Sequence, residues 1–97
     1  MIFMVTTTVP SHKAMEVAKK FKRVDLPDFI KKWQIFTTSD GTQGIKSYQL
    51  IFCEKGKGDD ALLYIYKSFA EYIKIEGYDI NIEILMGVKD SMSIIGM

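Results

Sequence analysis

The chain is poor in the residues that announce chemistry: its 97 positions hold one cysteine, one histidine, one tryptophan and two prolines. A lone cysteine, Cys53, forms no intrachain disulfide, so the fold needs no oxidising compartment. One histidine and one cysteine fall short of the usual structural zinc sets, and neither a metal nor a cofactor is expected. No uninterrupted apolar run nears the ~20 residues of a membrane span. Met1 to Val5 are apolar but lack a basic flank and lead straight into threonines, so they do not read as a secretion signal. Lys and Arg number 13 against 12 Asp and Glu, a net charge of +1 with no general pull toward nucleic acid or an anionic membrane. The expectation is a cytoplasmic protein.

What is present is a globular composition, 47% apolar and 26% charged, at a length that suits one domain. Ile2 to Val9 are apolar or β-branched on both parities, the pattern of a strand covered on both faces and so central in its sheet. Ser11 offers an N-cap after Pro10. Ala14, Val17, Ala18, Phe21 and Val24 then recur at helical spacing, predicting a helix of about four turns that ends near Leu26 before Pro27. Trp33 to Thr38 and Ile45 to Glu54 read as strands joined by the turn Ser39 to Gly44, whose Asp-Gly pair tolerates positive φ.

Pairing Thr38 with Ile45 sets Gln34 against Gln49 and Ile35 against Tyr48. That register predicts Trp33, Ile35, Tyr48, Leu50 and Phe52 on one side. Gln34, Phe36, Thr38, Ser47, Gln49 and Ile51 take the other. Asp59 caps a second helix with a stripe of Leu62, Ile65, Tyr66, Phe69, Tyr72 and Ile73, closed by Gly77. The last strand alternates Tyr78, Ile80, Ile82, Ile84 and Met86 with Asp79, Asn81, Glu83 and Leu85. Its isoleucines should each contribute about 1.5–3 kcal/mol by meeting the helices. Residues 87–97 form an apolar appendix, expected to dock on the domain or on a partner.

The order β-α-β-β-α-β over residues 1–86 predicts an α+β, ferredoxin-like sandwich: a four-stranded antiparallel sheet with two helices on one face. Strands one and three should be central. The other face is left open, with either Ile2, Met4 and Thr6 or Phe3, Val5 and Thr7 from the first strand on it, and is apolar enough to need cover. On this element order, the Met1-Ile2-Phe3-Met4-Val5 start and the Glu76-Gly77-Tyr78-Asp79-Ile80 junction, the chain resembles the dimeric α+β barrel superfamily. More loosely, it is similar to small prokaryotic and archaeal domains of that type. The resemblance implies a homodimer paired through the open sheet faces. It carries no catalytic residue with it, since the superfamily spans enzymes and binding proteins.

The candidate pocket lining on the open face is Gln34, Phe36, Ser47, Gln49, Asn81 and Glu83, with Glu83 as a carboxylate that enclosure would desolvate. His12 stands at the first strand-to-helix turn with no partner carboxylate nearby, so a solvated residue is favoured over a general base. Cys53 reads as an ordinary thiol. The leading functional reading is small-molecule binding, or chemistry without a cofactor, on the open face. A structural dimerisation domain is the alternative. RNA binding is weaker, because the predicted register turns Tyr48 toward the helices and a basic surplus is absent.

Overall fold

The computed structural model describes residues 1–22, 25–39 and 44–96. Ile2–Val9 forms strand β1, in which Phe3, Val5, Thr7 and Val9 are buried while the alternate residues are half-buried. It lies inside the sheet, paired on both edges, in the order β2-β3-β1-β4 with β2 at Ile30–Ser39, β3 at Ile45–Cys53 and β4 at Asp79–Leu85. All three pairings are antiparallel, with β1 and β3 central.

Helix α2, Gly58–Phe69, supplies the cover. Ala61, Ile65 and Phe69 recur every four residues and are buried against Phe3, Val5, Ile30, Ile51 and Cys53. Phe3, Val5, Ile51 and Ile65 lose nearly all their exposure, each contributing about 1.5–3 kcal/mol by leaving water. Asp59 and Asp60 sit in the first turn, where the helix dipole favours negative charge. Tyr64 meets Phe29 and Trp33 edge-on, both at 6.3 Å between ring centroids. Trp33 thus lies beneath a helix. Turns follow Phe69 up to Gly77, whose φ of +83° lets the chain reverse into β4.

Three sequence expectations are corrected. The first helix, α1, spans only Ala14–Lys20 after a 3-10 turn at Ser11–Lys13, and neither buries a residue. No hydroxyl caps it, and Phe21 is already extended and exposed. Continuing it would bring Lys19 within one turn of Lys22, a like-charge spacing that weakens helices. Val24, the last of the predicted stripe, lies outside the described residues. One helix, rather than two, therefore builds the core. Ile84 stays 60% exposed and Ile35 45% exposed on the helix side of the two edge strands.

Secondly, the hairpin is shifted by one residue. Ser39 pairs with Ile45, Gln34 with Leu50, Ile35 with Gln49 and Phe36 with Tyr48. The shift leaves the faces of β2 as expected and inverts those of β3. Ser47, Gln49, Ile51 and Cys53 are buried on the helix side, whereas Lys46, Tyr48, Leu50 and Phe52 take the open face. Phe3 and Trp33 occupy the space under α2, so slim partners on β3 fit where Tyr48 and Phe52 would not. The turn residues 40–43 themselves lie outside the described set.

Thirdly, α2 begins at Gly58 with Lys57 as its N-cap residue, and Asp59 falls inside the helix. A third helix, α3, runs from Val88 to Ile94 in the appendix and buries no residue. Sheet and one helix layer make a thin body of 47 × 30 × 18 Å. Its radius of gyration is 15.0 Å, against about 12.5 Å for a compact chain of this length. The excess reflects the long, thin shape.

Candidate functional site

The open face is a grid of sixteen positions, four from each strand, whose neighbours follow from the three registers. Lys32, Phe52, Ile2 and Leu85 share one level, and Gln34, Leu50, Met4 and Glu83 the next. Phe36, Tyr48, Thr6 and Asn81 follow, and then Thr38, Lys46, Thr8 and Asp79. From first level to last the face passes from apolar to polar. Across the strands it passes from cationic to anionic, because Lys32 and Lys46 lie on β2 and β3 whereas Asp79 and Glu83 lie on β4.

Both lysines are held over rings. Lys32 Nζ stands 5.9 Å from the centre of the Phe52 ring, and Lys46 Nζ stands 5.2 Å from that of Tyr48. At the polar end, Thr6, Thr8, Lys46, Asp79, Ile80 and Asn81 line a shallow depression of ≈ 140 Å³. Ligand pockets run to about 300–1,000 Å³, so this depression is smaller than a ligand pocket. It offers two hydroxyls, an amide and one charge of each sign.

Of the six residues expected to line a pocket, four share this face. Asn81 lines the depression, and its Nδ2 donates to Glu83 Oε1 at 3.4 Å. Glu83 is exposed in the single chain, as is Phe36, and Gln34 is half-buried. Ser47 and Gln49 belong to the helix side, in a buried polar cluster. The Thr7 and Ser47 hydroxyls share a hydrogen bond, Gln49 Nε2 donates to Ser47 Oγ at 3.4 Å, and Trp33 Nε1 donates to Gln49 Oε1 at 2.7 Å. No buried side-chain nitrogen or oxygen is left without a partner among the described residues. A closed network of this kind is structural in character.

Thr8, Lys46 and Asp79 line the depression but were not among the expected lining residues, whereas Thr6 belonged to one of the two alternatives for the first strand. A correct hairpin register would have placed Lys46, which shares the parity of Tyr48, on this face. His12 lies exposed in the 3-10 turn, off the sheet. Cys53 is a buried free thiol on the helix side. Among the described residues, no three His, Cys, Asp or Glu side chains converge as a metal site, and no helix is long and apolar enough to cross a membrane.

In comparisons with known proteins, no family model, curated protein or solved structure matches this chain.

Proposed function

We propose that this is a ferredoxin-like domain that pairs with a second copy, open sheet to open sheet, and holds a small polar molecule between them. The observation that carries the reading is the contiguous apolar half of the open face: Ile2, Met4, Leu50, Phe52 and Leu85 occupy adjacent grid positions and each is only half-buried. Monomeric proteins seldom leave such a patch uncovered. The depression lined by Thr6, Thr8, Lys46, Asp79 and Asn81 lies beside this patch. A second sheet about 10 Å away would turn it from a dent into a chamber. Its hydroxyls, amide and opposite charges suit a small molecule bearing both donors and acceptors. No nucleophile or general acid–base pair is assembled there, so binding, rather than a named reaction, is what we propose. The free thiol of Cys53 suits the reducing cytoplasm.

Native mass spectrometry of the protein purified from its own cells tests both parts. A dimer carrying an extra non-peptide mass is the expected result. A bare monomer at micromolar concentration overturns the reading.

A second reading is favoured by the corrected register. Phe36, Tyr48 and Phe52 all lie on the open face beside two lysines, the ingredients of a base-stacking platform for single-stranded RNA. Against it, β1 offers no aromatic there, since Phe3 is buried on the helix side, and Asp79 and Glu83 would repel phosphate. Salt-sensitive RNA binding that disappears in Tyr48→Ala would establish it.

A further inference from the structure

The two edges of the sheet are not alike. On β2 the edge is interrupted by a bulge between Ile30 and Lys32, and Lys31 and Lys32 stand exposed beside it. Bulges and lysines are devices that keep an edge from pairing with another chain. On β4 neither is present. Asp79–Leu85 holds no lysine, proline or glycine, and its register with β1 is unbroken over its whole length. Among the described residues, no turn or loop backbone group bonds to it, so its outer row of amides and carbonyls has no backbone partner. Ile84 stands largely exposed on the helix side of this edge.

The order of residues along β4 says what this edge fits. A two-fold axis normal to the sheet lays β4 antiparallel on β4 of a second copy and keeps both helix layers on one side. Opposed residues share a face, so the strands can slide only in steps of two. Centred on Ile82, the pairing joins all 7 residues of the strand. On the helix side Ile80 meets the partner's Ile84 and Ile82 meets the partner's Ile82, β-branched pairs that suit a ladder. On the open face Asp79 meets the partner's Leu85 and Asn81 meets the partner's Glu83, so no two acids are directly opposed. Sliding by two residues one way sets Asp79 against the partner's Glu83. Sliding the other way sets Glu83 against the partner's Glu83. Each slide leaves fewer residues paired, and like charges directly opposite destabilise a ladder.

We infer that β4 is a self-pairing edge, through which two copies join in this register into one continuous sheet. The contact is separate from the pairing of open faces proposed above and does not rest on it. It gives Ile84 the isoleucine neighbour that it lacks in the single chain. Asn81 already donates to Glu83 along its own strand at 3.4 Å, and the partner's Glu83 then stands directly across from it. Both open faces point the same way and remain accessible. The pairing is reciprocal, so each cross-strand contact away from Ile82 occurs twice.

The test removes the open face first. Leu50→Lys puts a charge in the middle of that face, so a dimer that persists uses another surface; circular dichroism would verify the fold. Analytical ultracentrifugation of this variant at low salt should show a dimer. Ile84 and Asn81 are both exposed, so each can be changed in a folded chain. Adding Ile84→Lys should raise the dissociation constant about tenfold or more, since a charge replaces the contact between Ile80 and Ile84 twice. Adding Asn81→Lys should lower it about tenfold, because two cations then oppose Glu83, and Asn81→Glu should raise it by about as much. A monomer in the Leu50→Lys background, or a dimer that Ile84→Lys leaves intact, overturns the edge pairing, and a wild-type dimer would then keep the open-face reading standing. A dimer that Asn81→Lys weakens overturns the register. Hydrogen exchange of the wild type gives an independent measure, because face-to-face packing adds no backbone hydrogen bonds. Alternate amides of Asp79–Leu85 should slow as protein concentration rises, and the absence of that alternation overturns the edge pairing.

Discussion

Trp33 donates its indole N–H to Gln49 Oε1 at 2.7 Å across the β2–β3 pair. The two are diagonal neighbours, since Trp33 is directly opposite Ile51 and Gln49 opposite Ile35. This contact gives a polar side chain a reason to be under a helix. A half-buried indole needs an acceptor, and Gln49, itself buried, supplies it. Gln49→Leu should lower stability by about 1–3 kcal/mol, since the N–H is left without a partner. Trp33→Phe in the same background should then cost less than Trp33→Phe alone. Urea denaturation of the four proteins measures the difference, and simple additivity would deny the bond any energetic role.

The same contact explains what could be read from the sequence and what could not. Strand β4 was legible because Ile80, Ile82 and Ile84 alternate with Asp79, Asn81 and Glu83, so parity alone assigns its faces. Strand β1 was legible as central, because both of its parities are apolar or β-branched. Strand β3 was ambiguous. Ile51 and Cys53 compete with Leu50 and Phe52, and pairing Thr38 with Ile45 selected the wrong parity. The observed parity allows the Trp33–Gln49 and Thr7–Ser47 bonds, which depend on three strands at once. Half of the candidate site followed that ambiguity: Asn81 on β4 was found, whereas Lys46 on β3 was not. The first helix failed differently. Its stripe is a local pattern, and nothing local reveals that the sheet leaves Ala14, Val17 and Phe21 without a buried berth.

Adjacent residues on β3 offer a direct test of that parity. Ile51 is fully buried under α2, whereas Leu50 lies on the open face. Ile51→Ala should therefore cost about 2–5 kcal/mol through lost burial and the cavity left behind. Leu50→Ala should cost less than about 1.5 kcal/mol when measured dilute, where no second copy covers it. Denaturant midpoints of the two variants at submicromolar protein decide the matter. Equal losses would place both side chains in one core.

Stability at high pH should depend on Tyr78. Burial raises its phenol above the ordinary value, an effect partly opposed by hydrogen bonding with Thr7, and Tyr72 stacks on it at 5.8 Å. In the unfolded chain the phenol ionises at about pH 10, whereas in the fold it holds its proton to higher pH. Above about pH 10 the unfolded state thus binds fewer protons than the native state, and stability falls as pH rises. Below that value both states are neutral and the contribution is fully present. Tyr78→Phe should flatten the decline in urea midpoint between about pH 9 and 11. Parallel curves for wild type and variant would exclude Tyr78 as its source.

The last prediction concerns where β3 begins. Gly44 has a φ of +110°, and a Cβ there would stand 2.2 Å from the carbonyl oxygen of Val9 and 2.9 Å from the amide nitrogen of Ser11. Both atoms are backbone and neither can turn away. Gly44 therefore lets the start of β3 lie against the end of β1, which keeps Ile45 opposite Val9 and the rest of the register in step. Gly56 provides the control: its φ is +82°, but a Cβ would meet nothing within 4 Å. Gly56→Ala should cost about 1 kcal/mol, the penalty of the left-handed backbone alone. Gly44→Ala should cost clearly more, because the strand pair must separate to admit the methyl group, and amide exchange should accelerate at Val9 and Ile45 before it does at Ile51. Equal costs at the two glycines would mean that the close approach to Val9 does not hold the hairpin in register.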